Sequence, residues 1–114
     1  MITRSLVSVA AIAALSLTVT ACGSSGGKTA SGADLVKDGT LTVCSDVPYA
    51  PFEDFDKSSA VGFKGFDVDI VNAVAKGMGV KLKVLDEDFD GLQSGLTLNA
   101  GTCDMVASAM TITP

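Results

Sequence analysis

Between residues 40 and 110 the chain alternates short β-rich runs with segments of helical length, and that order constrains the fold more than any other feature. Residues 40–45 (Thr-Leu-Thr-Val-Cys-Ser) make a first strand behind the turn-forming pair Asp38-Gly39. Residues 65–79 read as a helix because Phe66, Ile70, Val74 and Met78 recur every four residues as one apolar stripe. Asp67 and Asp69 fall in its first turn, where carboxylates suit the positive end of the helix dipole, and Gly79 supplies a stop. Residues 80–84 alternate Val-Lys-Leu-Lys-Val, a second strand with one wet face or edge. Asp88 then caps a second helix that runs from Phe89 to about Ala100, with Phe89, Leu92 and Leu96 inward and Gly101 ending it. The continuous small and apolar run of residues 104–110 reads as a third strand buried on both faces, hence central, with the second strand peripheral.

A βαβαβ order with connections of helical length predicts an α/β fold: an open parallel sheet with right-handed crossovers. Ligands of such sheets bind beyond the carboxyl ends of the strands. The segments after the three strands, residues 45–52, 86–89 and 108–113, should therefore converge on one site carrying hydroxyls, a carboxylate and aromatic rings. The sequence has no histidine, which removes Ser-His-Asp and Cys-His relays and imidazole-held metals. Asp86, Glu87, Asp88 and Asp90 lack the glycine and terminal glutamate of a calcium loop and read as a solvated acidic turn. No catalytic residue, metal or cofactor is expected. With 13 acids against eight bases and a net charge of −5, no nucleic-acid partner is expected either.

The amino terminus reads as a targeting segment. Arg4 precedes an uncharged apolar run, residues 5–19, too short to span a bilayer comfortably but suited to a secretory signal core. It leads into Val19-Thr20-Ala21-Cys22, which resembles the lipobox of bacterial lipoproteins; cleavage before Cys22 would make that residue the lipid-bearing terminus. The expected organisation is a signal peptide over residues 1–21, a Gly/Ser-rich flexible tether over 22–33, and a globular part over 34–114. Acylation with two or three chains satisfies the requirement for stable attachment, so the membrane is an anchor and the expected location is the outer face of the bacterial cell membrane. The globular part, some 80 residues, lies near the lower limit for a self-sufficient core.

The globular part also carries a family resemblance. Residues 41–53 (Leu-Thr-Val-Cys-Ser-Asp-Val-Pro-Tyr-Ala-Pro-Phe-Glu), the block Gly65-Phe-Asp-Val-Asp-Ile70, the block Phe89-Asp-Gly-Leu92, and residues 103–113 ending in Thr-Ile-Thr resemble the extracellular solute-binding proteins of family 3. These are the receptors of polar amino acid ABC importers. The resemblance implies a type II periplasmic-binding-protein-like fold in which two α/β lobes close over an amino acid, this chain supplying part of the first lobe. It implies that Tyr49 and Phe52 wall or stack on the ligand and that Phe89 packs on it from the turn after the second strand. Asp46 matches an acid near the ligand in some members. Ser108, the carbonyl of Ala109, and the hydroxyl and N–H of Thr111 match groups that hold the α-ammonium and α-carboxylate. The implied partners are a polar amino acid, an ABC permease and, through the lipid, the membrane. The family's carboxylate-gripping arginine falls a few residues after Thr-Ile-Thr, past Pro114, and the second lobe with its ammonium-binding acid lies further on. A fragment or truncated product, binding amino acids weakly or not at all, is therefore expected. An enzyme on the same scaffold, such as a cyclic dehydratase or the binding domain of a lytic transglycosylase, is the alternative, and a sensor ectodomain a weaker third reading.

With Cys22 acylated, Cys44 and Cys103 remain as an even pair in an oxidising setting, which favours a disulfide. Strand geometry argues the other way. Level parallel strands would offset the two residues by about four positions, roughly 13 Å, whereas a disulfide needs Cα atoms within about 7 Å.

Overall fold

The computed structural model describes residues 32–112. The expected signal peptide, Cys22, most of the tether, Thr113 and Pro114 lie outside the described residues. Among the described residues no helix is long and apolar enough to cross a membrane.

Among the described residues eight elements follow one another: β1 (Thr40–Ser45), β2 (Asp54–Phe55), β3 (Phe63–Lys64), α1 (Phe66–Met78), β4 (Lys81–Asp86), α2 (Phe89–Gln93), α3 (Leu96–Asn99) and β5 (Met105–Val106). Strands β4, β1 and β5 form a parallel sheet in that order. Its register sets Thr40 opposite Lys81, Ser45 opposite Asp86, and Cys44 opposite Val106. The short antiparallel pair β2–β3 stands apart, inside the connection between β1 and α1 that the sequence leaves as loop.

Strand β1, and not the third parallel strand, is central among the described residues. Residues 41–45 are all buried because the strand is covered on both faces and paired on both sides. Leu41 and Val43 pack under Val71 and Ala75 of α1, while Cys44 on the opposite face packs with Leu92 of α2 and with Cys103. The run 104–110 contributes only the two-residue β5, half-buried and paired to β1 alone. Asp104 continues the attachment without a ladder: its carboxylate accepts the N–H of Val36 at 2.6 Å and of Thr42 at 2.7 Å, while its own N–H donates to the Thr42 carbonyl. The second strand, β4, lies at an edge with both lysines exposed, as its alternation predicts.

Helix α1 occupies the expected span, but a different stripe faces the core. Phe66, Ile70 and Val74 are 60%, 47% and 38% exposed, and the buried residues are Val68, Val71 and Ala75. At 3.6 residues per turn a strict four-residue recurrence advances about 40° per step, so it wanders about 120° round the helix between Phe66 and Met78. Val68, Val71, Ala75 and Met78, in mixed steps of three and four, stay within about 80° and so can all meet one sheet. The carboxyl end closes as expected: Gly79 is left-handed, its N–H reaches the Lys76 carbonyl and the Val80 N–H reaches that of Ala75.

The expected helix over residues 89–100 is two pieces. Gly95 adopts φ 76°, which ends α2 and restarts the chain as α3 on a new axis. The phase change turns Leu96 out to 66% exposure and turns Thr97 in. Asp88 holds the cap position of α2 without a side-chain cap; its backbone carbonyl takes the Gly91 and Leu92 N–H groups instead. Gly101, at φ 70°, closes α3 as expected.

Cys44 and Cys103 are joined by a disulfide with a Cα–Cα distance of 5.8 Å. The offset argument does not apply because Cys103 precedes β5 in the bend after Gly101 and is not a rung of the ladder. The bridge closes 59 residues of chain, which the loop-entropy account values at about 4 kcal/mol.

Candidate functional site

At the carboxyl ends of the parallel strands lies a cavity of about 380 Å³ lined by Asp46, Pro48, Tyr49, Glu53, Phe89, Ser108 and Ala109. That volume falls within the range of small-molecule sites. Side chains reaching between the loops hold them together there. The Asp46 N–H donates to Ser108 Oγ at 3.0 Å, tying the loop after β1 to the loop after β5. The Val47 N–H donates to Asp86 Oδ1 at 3.0 Å, tying the same loop to the end of β4.

Of the residues assigned to the ligand from the sequence, Asp46, Tyr49, Phe89, Ser108 and Ala109 line this cavity. Tyr49 is exposed and stacks on Phe52, with ring centres 5.8 Å apart and planes 13° from parallel. Phe52 is not in the cavity wall. Its ring meets Phe66 edge to face at 6.4 Å and lines a neighbouring apolar groove with α1, so from behind it backs the ring of Tyr49. Thr111 is exposed and lines neither concavity.

Two further carboxyls belong to the site. Glu53 is fully buried, at 0% exposure, and its Oε1 accepts the Ser108 hydroxyl at 2.7 Å while Oε2 has no hydrogen-bond partner. Burial pushes its carboxyl above the ordinary glutamate value; the Ser108 hydrogen bond pulls it partly back, and the nearby Asp67 and Asp46 carboxylates each add a smaller upward push. Asp67, in the first turn of α1, accepts the Ala109 N–H on Oδ2 at 2.5 Å. The sequence marks neither role: glutamate is rarely buried without a partner, and a first-turn aspartate has a sufficient local explanation in the helix dipole.

Glycine brings these two carboxyls together. The N–H groups of Phe66 and Asp67, unpaired within the helix, donate to the carbonyls of Pro51 and Phe52, each at 3.0 Å. Gly65 permits this docking with φ 129° and ψ 176°; a Cβ on it would lie 2.2 Å from the Phe52 carbonyl oxygen.

The cavity thus offers acceptors. A hydroxyl has one donor and two lone pairs. Ser108, a lining residue, gives its proton to Glu53 and accepts one N–H from Asp46, which leaves one lone pair unused. The lining residues include Asp46 and Glu53 and no lysine or arginine. Among the described residues no group of His, Cys, Asp and Glu is arranged to hold a metal.

Comparison with known proteins gives a consistent set of relatives. The profile of the bacterial extracellular solute-binding proteins, family 3, matches residues 41–114. A probable histidine-binding protein of Neisseria gonorrhoeae is 38% identical over 104 residues, covering 91% of this chain and 37% of its own. Among solved structures, the arginine-bound form of domain 1 from TmArgBP aligns with TM-score 0.55 and 39% identity over 66% of this chain and 56% of that one. An ancestral cyclohexadienyl dehydratase aligns with TM-score 0.55 and 33% identity over 67% of this chain and 30% of its own. The chain therefore spans little more than a third of the length of that curated relative.

Proposed function

Because the chain belongs to the bacterial extracellular solute-binding proteins, family 3, and has the α/β architecture of type II periplasmic binding proteins, we propose that its cavity receives the ammonium-bearing end of a polar amino acid. The protein then acts as the substrate-binding component of an amino acid ABC importer. It captures its ligand between two lobes, of which residues 34–114 supply part of the first. Cys22 carries the lipid that holds it outside the cell membrane.

The observation that carries this reading is the acceptor-rich, acidic cavity at the carboxyl ends of β1, β4 and the chain after β5. An ammonium group makes charge-assisted bonds to such acceptors, and Tyr49 and Phe89 supply the apolar walls. The names of relatives that bind histidine or arginine agree with that polarity.

The test is a titration of the isotope-labelled chain with L-arginine and L-histidine, read from backbone amide shifts. Weak, millimolar binding should move Asp46, Tyr49, Phe89, Ser108 and Ala109. Shifts confined to other residues, or none with any polar amino acid, would refute the assignment. Micromolar affinity would contradict the expectation that this length of chain binds weakly. Replacing Cys22 by Ala should release the protein from membranes, and its retention there would count against lipidation.

The dehydratase neighbour supports a second reading, an enzyme on this scaffold. It has less support from the site, since the carboxyl with raised proton affinity, Glu53, is wholly enclosed and bonded to Ser108.

A further inference from the structure

We propose that Glu53 and Asp67 share one proton and, as a pair, act as positioning residues that fix the hydrogen-bonding sense of residues 108–109 at the ligand site. The proposal rests on the binding reading above for what residues 108–109 face, but the brace itself is read from the structure alone.

Two successive residues of the loop after β5 each give their donor to a carboxyl from elsewhere in the chain. Ser108 Oγ–H goes to Glu53, from the loop before β2, and Ala109 N–H goes to Asp67, from α1. Ala109 is held at φ 44°, an uncommon value for a residue with a side chain, and Asp67 is the partner of its N–H. The Ser108 hydroxyl and the Ala109 N–H are thereby consumed internally, which leaves the stretch a surplus of acceptors over donors for a ligand. That is the polarity an ammonium group requires and a carboxylate does not.

Glu53 Oε2 supplies the reason for a shared proton. It is a buried oxygen without a donor, and the acidic groups that act on its carboxyl are Asp67, which holds the next residue of the same loop, and Asp46. Two ionised carboxylates, buried Glu53 and half-buried Asp67, repel and leave Oε2 unsatisfied. A single proton on Oε2, donated to Asp67, satisfies it, removes one charge and keeps Oε1 free to accept from Ser108. The groups around Glu53 are then Ser108 from the loop after β5, Asp67 from α1 and Asp46 from the loop after β1. Among the described residues no cation is a partner of Glu53. Removal of the proton at higher pH would oppose two carboxylates and release the grip on residues 108–109.

The experiment is a pH titration of the labelled chain by NMR, following the Glu53 carboxyl carbon and the amides of Asp46, Ser108 and Ala109, in wild type, Glu53→Gln and Asp67→Asn. In wild type the three amides should titrate together with the Glu53 carbon, above the ordinary carboxylate range. Glu53→Gln keeps an oxygen for Ser108 and should abolish that common midpoint. Asp67→Asn removes the neighbouring charge and should bring the Glu53 midpoint down; this variant decides the matter if Glu53→Gln does not fold. Glu53 titrating in the ordinary range, amides that titrate unchanged in Glu53→Gln, or an unmoved Glu53 midpoint in Asp67→Asn would each overturn the proposal. Failure of the binding reading shows separately, as an absence of arginine-induced shifts in a wild-type chain whose Glu53 titration is as described.

Discussion

Replacing Gly65 by Ala should unfold much of the structure around the site, and the magnitude follows from two observations. The backbone there, φ 129° and ψ 176°, lies in a region open essentially to glycine alone, which costs another residue about 1–3 kcal/mol. The new Cβ would also lie 2.2 Å from the Phe52 carbonyl oxygen and 2.6 Å from its carbon, and backbone cannot swing aside as a side-chain tip can. Helix α1 must therefore retreat, losing the bonds from Phe66 and Asp67 N–H to Pro51 and Phe52, at about 1 kcal/mol each. The sum, about 3–5 kcal/mol, is a large part of the stability of a domain this small. Urea denaturation followed by far-ultraviolet circular dichroism measures it. With a slope of about 1 kcal/mol/M, the midpoint should fall by about 3 M or more, or the native baseline should vanish. Gly77→Ala is the internal control: Gly77 lies in the same helix with nothing within 4 Å of the methyl that alanine would add, so that variant should gain about 0.5–1 kcal/mol. A Gly65→Ala midpoint within about 0.5 M of wild type would refute the reasoning.

Removing the Cys44–Cys103 bridge as a paired Ala variant should cost about 4 kcal/mol by the loop-entropy account, measured by the same denaturation; a loss below about 1 kcal/mol would mean that the bridge constrains the unfolded chain far less than its span implies. Asp104→Ala should cost about 3 kcal/mol, because it strips the Val36 and Thr42 N–H groups of a charged acceptor at once, and amide exchange at both positions should accelerate together. The raised Glu53 carboxyl binds its proton more tightly folded than unfolded. Its contribution to stability is therefore fully present below the ordinary glutamate value and is lost as pH rises through the folded value. The stability difference between wild type and Glu53→Gln should fall across that window, and a difference flat with pH would contradict the assignment. Leu92→Ala should cost about 2–4 kcal/mol, and Leu96→Ala less than about 0.5, reversing the equal weight that their spacing gives them.

The order of elements and the parallel sheet were legible because they rest on local composition: a β-rich run, a helix with a left-handed glycine stop, an alternating edge strand. The convergence of three loops at the strand ends followed from topology, and it placed Asp46, Tyr49, Phe89, Ser108 and Ala109 on one cavity. Finer packing detail was not legible where the sequence offered two equal patterns. Phe66, Ile70 and Val74 are larger and more apolar than Val68, Val71 and Ala75, yet the second set stays in phase with the sheet. In the second helical segment one left-handed glycine, Gly95, changed the phase and exchanged Leu96 for Thr97. Phe52 and Tyr49 belong to the same proline-rich loop, and only the position of α1 sends one ring to the cavity and the other behind it.

By itself the sequence determined the order of the parallel strands and their helical connections, and the family the chain belongs to, because these depend on hydrophobic period, turn residues and short motifs. Tertiary structure alone decided which strand is central, that Cys103 leaves the ladder to meet Cys44, and that Glu53 and Asp67 close on neighbouring residues of one loop. Those outcomes depend on contacts between residues 41 to 62 positions apart, and on the close approach that Gly65 permits. Local spacing carries no record of such distances. The polarity of the site is set there, by two carboxyls that each look ordinary in their own stretch of chain.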